Sequence, residues 1–117
     1  MKKFMKSFYY AFCGIKACFK SERNFKVHAA TAVAAVIFSF LFKLSAVEWM
    51  FIIGSIVSVM TTEIINTAIE KTADFIEPNR NDTIRIIKDM TAGMVLITAI
   101  GAFLVACIIF IPKIFSL

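Results

Sequence analysis

The sequence predicts an all-α membrane protein, with an N-terminal amphipathic helix lying in the interface and three transmembrane helices after it. Three observations carry this. Of the 117 residues 60% are hydrophobic and mean hydropathy is +0.83, too apolar for a domain whose surface must stay wet. Apolar runs of membrane-spanning length recur between short blocks of charge. No linker, repeat or low-complexity stretch divides the chain, so residues 1–117 read as a single domain.

The first segment, residues 1–21, places Phe4, Phe8, Ala11, Phe12, Ile15 and Phe19 at helical spacing, while Lys2, Lys6, Lys16 and Lys20 fall mostly elsewhere. Such a helix lies in the headgroup layer. Its scattered lysines leave no continuous apolar core, so it does not make a cleavable signal peptide. Ser21, Glu22, Arg23 and Asn24 break the pattern, and the first span follows from Val27 to Leu44. Its many alanines let helix backbones approach closely. Lys43 and Glu48 bracket a turn, with Trp49 as an interfacial anchor.

The second helix runs from Val47 to Ile76. Its apolar part ends near Met60, but Thr62 to Ile76 holds no proline or glycine, so the helix continues past the bilayer core. Pro78, Asn79, Arg80, Asn81 and Asp82 form a loop. The third helix runs from Thr83 to Ile111, stopping before Pro112, and Met90 to Ile111 carries no charge over a length sufficient to cross ~30 Å of hydrocarbon.

Net charge is +5, from 13 basic and 8 acidic residues. The basic residues sit in blocks between apolar runs rather than along a recognition helix, which argues for anionic headgroups and phosphate rather than nucleic acid. Lys2 to Lys26 and Lys71 to Lys88 hold eleven of the 13, against Lys43 and Lys113 on the opposite side. The excess predicts that the N-terminus and the second loop face the cytoplasm. Cys13, Cys18 and Cys107 have no metal-ligand spacing and read as small hydrophobes.

Glu63, Asn66, Thr67, Glu70 and Asp74 follow at i, i+3, i+4, i+7 and i+11 and share one helix face. A carboxylate in hydrocarbon costs at least ~2.5 kcal/mol, so such a row faces protein, water or a cation. Glu22 precedes the first span, and Asp89 lies beside Lys88 where the third helix enters. Carboxylates from two segments and a lysine at one depth suit Mg²⁺ completed by phosphates, and hence phosphoryl transfer; interhelical ion pairs are the bland alternative.

The run Glu63-Ile-Ile-Asn66-Thr67-Ala68-Ile69-Glu70, followed by Asp74, closely resembles the E-x-x-N-[ST]-A-I-E-x-x-x-D signature of the bacterial diacylglycerol kinase and undecaprenol kinase family. Lys88-Asp89 with Ala92, Gly93, Val95 and Leu96 resembles it too, as does Glu22-Arg23-Asn24-Phe25. Order and spacing fit over essentially the full chain, including Tyr10 and Gly14 in the first helix. The resemblance implies a homotrimeric lipid kinase of the bacterial inner membrane, with composite sites between subunits and ATP as donor. It implies that Glu22 and Glu70 hold Mg²⁺ with Asn66 beside them, and that Glu63 is the catalytic base. It implies nucleotide contacts from Lys88, Asp89 and Tyr10. No pattern carries over from the family to the loop from Glu77 to Asp82, where Arg80 is the best phosphate candidate by charge.

Arg23-Asn24-x-Lys26-x-His28 resembles the undecaprenol kinase version of its segment and favours undecaprenol over diacylglycerol as substrate. His28 itself reads as a structural interfacial residue. A channel or transporter is the competing class, since intramembrane acids also mark ion paths. An assembly factor is a third, and leaves the five residues Glu22, Glu63, Asn66, Glu70 and Asp89 unexplained.

Overall fold

In the computed structural model, which describes residues 1–117, the chain forms four helices: α1 (Lys2–Ser21), α2 (Arg23–Leu41), α3 (Ala46–Ile76) and α4 (Asp82–Phe115). The last three are long and apolar enough to cross a membrane. Their 19, 31 and 34 residues rise roughly 28, 46 and 51 Å. Thus α2 just matches the ~30 Å hydrocarbon layer, while α3 and α4 outreach it.

The central helix is α3, packed along α4 and, over a shorter length, against α2. A small core of Leu44, Ile52 and Ile109, covered by Trp49, Phe42 and Phe110, closes the end that carries Lys43 and Lys113. There Lys113 Nζ lies 3.2 Å from the Glu48 carboxylate. Midway, the Thr62 and Thr98 hydroxyls share a 3.0 Å hydrogen bond between α3 and α4, the kind of polar tie that membrane helices use in place of hydrophobic burial. At the basic end α1 joins through its last turns, where Cys18 is buried and Phe19 meets Phe25 edge-on at 4.7 Å.

Only 10 of 117 residues are buried, and the accessible surface is 8761 Å². A compact soluble chain of this mass exposes about 6,400 Å². The radius of gyration, 17.3 Å, likewise exceeds the ~13 Å of a globular chain this long. The exposed isoleucines, phenylalanines and leucines of α2 to α4 suit an apolar surrounding such as lipid.

Three helix ends differ from the sequence reading. The break before the first span is a single extended residue, Glu22, whose N–H donates to Cys18 O, so α2 begins at Arg23 rather than Val27. It ends at Leu41 rather than Leu44 because Lys43 turns left-handed, at φ 52°. Lys43 N–H then donates to Phe40 O and Leu44 N–H to Ser39 O, a Schellman closure that swings Leu44 inward to the core. At the far end α4 passes through Pro112 to Phe115. Only one turn remains beyond the proline, and in apolar surroundings an unbonded backbone costs more than a distorted turn.

The turns are capped conventionally. Ser45 and Glu48 form a reciprocal capping box at the start of α3, and the Asn81 side chain accepts from Ile84 N–H at the start of α4.

Candidate active site

The acid row of α3 lies toward the basic end of the bundle, and burial along it is graded. Glu63 and Thr67 are buried at 4% and 3% exposure, Asn66 and Glu70 are half-buried, and Asp74 is exposed. Because each residue advances 1.5 Å, Glu63 lies about 10 Å deeper along the helix than Glu70. One face therefore leads from the aqueous margin into the apolar bundle.

Against this face stands the start of α2. His28 Nε2 is 3.0 Å from Glu63 Oε1, with side-chain exposures of 26% and 5%, so the acid is sealed and the histidine only partly so. Glu22, at the α1 to α2 break, spends no carboxylate oxygen on capping. Glu70 shares the helix face of Glu63, and Glu22 stands at the start of α2, six residues before His28. Asn66 Oδ1 is buried there without a hydrogen-bond partner. An orphaned buried carbonyl oxygen is uncommon and calls for a missing partner.

Cys18 of α1 abuts the same group. Burial pushes its thiol up from the usual value, with Glu22 and Glu63 adding to the shift and Lys71 opposing it. It therefore stays neutral at physiological pH and packs as a small hydrophobe.

An apolar cleft of about 320 Å³ runs between α2, α3 and α4, and His28 connects it to Glu63. Thr31, Ala35, Ile56, Met60 and Phe103 are among its walls, and His28 lies at its rim.

The other residues expected at the site are placed apart from these acids. Lys88 pairs with Asp74, and Asp89 with Arg85 at 3.7 Å on its own helix. Tyr10 is exposed on α1 with its ring beside Tyr9. Within one chain no three His, Cys, Asp or Glu side chains cluster to hold a metal. The donor set that is present, two carboxylates and an unpartnered amide oxygen, is all oxygen and fits Mg²⁺, which leaves further positions to water and phosphate. The one contact on this face that residue patterns do not disclose is His28 with Glu63. Its only signal in sequence is a histidine one turn into a span whose neighbour bears an acid at matching depth.

The sequence profile described as prokaryotic diacylglycerol kinase matches residues 9–110. Undecaprenol kinase of Bacillus subtilis (strain 168) is 40% identical over 113 residues, covering 97% of this chain and 92% of that relative. Diacylglycerol kinase of Synechocystis sp. is 34% identical over 112 residues, 95% of this chain and 64% of the relative. Diacylglycerol kinase of Escherichia coli (strain K12) is 30% identical over 100 residues, 86% of this chain and 82% of the relative. The chain belongs to the prokaryotic diacylglycerol kinase family.

Proposed function

We propose that the protein transfers the γ-phosphoryl group of Mg-ATP to a membrane lipid alcohol, undecaprenol in preference to diacylglycerol. Family membership makes it a lipid kinase. The observation that carries the site is the unpartnered Asn66 Oδ1, buried on the face that Glu63 and Glu70 share. The substrate preference is supported by the 40% identity to an undecaprenol kinase, against 34% and 30% to diacylglycerol kinases.

Glu22 and Glu70 would hold the metal, with Asn66 Oδ1 beside them, and Mg²⁺ held there would supply charge neutralisation for the transferring phosphates. Glu63, at lipid-headgroup depth, takes the hydroxyl proton as the lipid oxygen bonds to phosphorus, and the bond to the β-phosphate oxygen breaks to release ADP. Lys88, Asp89 and Tyr10 contact the nucleotide. The chain has no G-x-x-x-x-G-K-[ST] loop, so positioning and electrostatics supply the catalysis.

The working form is a homotrimer in the bacterial inner membrane, its N-terminus and site on the cytoplasmic side. Eleven of 13 basic residues at one end support that orientation. Assembly is supported by a shallow groove between α3 and α4 lined by Gly54, Ser58, Thr98 and Gly101. A Cβ built on either glycine meets nothing within 4 Å, so packing inside the chain gives no reason for them. An approaching helix does. All the acids but Glu48 gather at one end instead of recurring along the spans, which disfavours an ion path.

The test is phosphorylation by the purified protein with radiolabelled ATP and either lipid in the same mixed micelles. A higher kcat/KM for undecaprenol is expected. Preference for diacylglycerol reverses the substrate assignment, and label in neither lipid removes the proposal.

A further inference from the structure

Glu63 is the most sealed acid in the chain, and the His28 contact is the sole ion pair to its side chain. His28 is also the residue that both touches Glu63 and lines the apolar cleft. A structural tie between α2 and α3 does not need these residue types. Breaking even with an apolar pair is the usual fate of a buried ion pair, so stability is weak grounds for one here. A base has a stronger need, because a carboxylate with a free χ angle presents its oxygens to a hydroxyl in many orientations, and a misplacement of about 1 Å costs on the order of 100-fold in rate.

We propose that His28 is the positioning residue for Glu63, its Nε2–H holding Oε1 so that the second oxygen is left for the hydroxyl of a lipid lodged in the adjoining cleft. The proposal rests on Glu63 being the base, and the variants below separate its failure from failure of that reading. His28 lies at the cleft rim, so it sets the height at which the alcohol end of an apolar chain meets the acid.

The experiment compares His28→Leu, which removes the donor, with His28→Gln, whose amide nitrogen reaches a similar point. Both are made in the wild-type and Glu63→Asp backgrounds and assayed in assembled protein with undecaprenol and ATP. His28→Leu is expected to lower kcat by about 10- to 100-fold, with KM for ATP within about twofold. His28→Gln should recover most of that loss. In the Glu63→Asp background, where the shortened acid no longer meets His28, His28→Leu should cost less than about threefold more. Equal losses in the Leu and Gln variants overturn the proposal in favour of packing. Losses that multiply across the two backgrounds overturn it in favour of an independent role. If Glu63→Gln, assayed alongside, turns over at the wild-type rate, the base reading falls and the proposal with it. Should His28→Leu fail to assemble, His28→Asn, too short to reach the acid, takes its place under the same criteria.

Discussion

Lys88 of α4 and Asp74 of α3 form an ion pair that closes the hairpin around the turn from Glu77 to Asn81. The lysine is thus poised at the aqueous end of the acid row, engaged by an exposed partner that a phosphate easily displaces. Exposed pairs of this kind contribute about 0–1 kcal/mol, so breaking it has little effect on the fold. Lys88→Met is expected to raise KM for ATP about tenfold, the value of a charged hydrogen bond, while Asp74→Asn changes it by less than about twofold. Nucleotide titrations that respond equally to both substitutions would mean that the hairpin tie matters and that Lys88 makes no phosphate contact.

In the proposed mechanism the graded burial of α3 divides metal binding from proton transfer. Glu22→Gln and Glu70→Gln each preserve shape while neutralising a ligand, and should weaken Mg-ATP binding by at least about tenfold. Glu63→Gln should leave that affinity nearly intact yet reduce turnover by about 10²- to 10⁴-fold. Isothermal titration and steady-state rates on the same preparations decide between the roles. Unchanged binding in the first two variants sinks the metal assignment, and normal turnover in the third removes the base.

Since Tyr10, Lys88 and Asp89 form no ion pair with Glu22, Glu63 or Glu70 within one chain, a site completed by a neighbour should show complementation. Mixing inactive Glu70→Gln chains with inactive Glu63→Gln chains restores activity if these residues work from different protomers. If the pair shares one chain's half-site, Glu22→Gln with Glu70→Gln is the next combination. Absence of rescue by every pair, in assemblies shown by crosslinking to be mixed, would falsify the shared site.

Lys43 occupies a left-handed conformation at φ 52° that glycine adopts without strain. Lys43→Gly is therefore expected to stabilise the protein by about 1 kcal/mol, read from the midpoint of unfolding in a denaturing detergent titration. A lower midpoint would mean that the lysine stem, anchored at the headgroups, contributes more than the backbone strain takes away.

Much of this architecture is legible in sequence, because apolar run length and helical period are local properties. The face shared by Glu63, Asn66, Thr67, Glu70 and Asp74 follows from spacing alone, and the structure grades its burial. The end of α2 is not legible, since a Schellman closure normally announces itself by glycine and here uses Lys43. Pro112 misleads for a related reason, as a stop signal learned in water is weaker in lipid. The His28 to Glu63 contact depends on how far two antiparallel helices slide past each other, and no local pattern encodes that register.

The shortest span, α2, also sets a ruler for the host membrane. With 19 residues and roughly 28 Å of length, it has no surplus to absorb by tilting. A thicker bilayer drags Arg23 and Lys43 toward hydrocarbon, or pulls α2 along its axis relative to the longer α3. Because His28 rides on the first helix and Glu63 on the second, hydrophobic mismatch is felt as a change in their registry. Activity should accordingly peak in bilayers of matched acyl length and fall as chains lengthen, making membrane thickness a control on the enzyme.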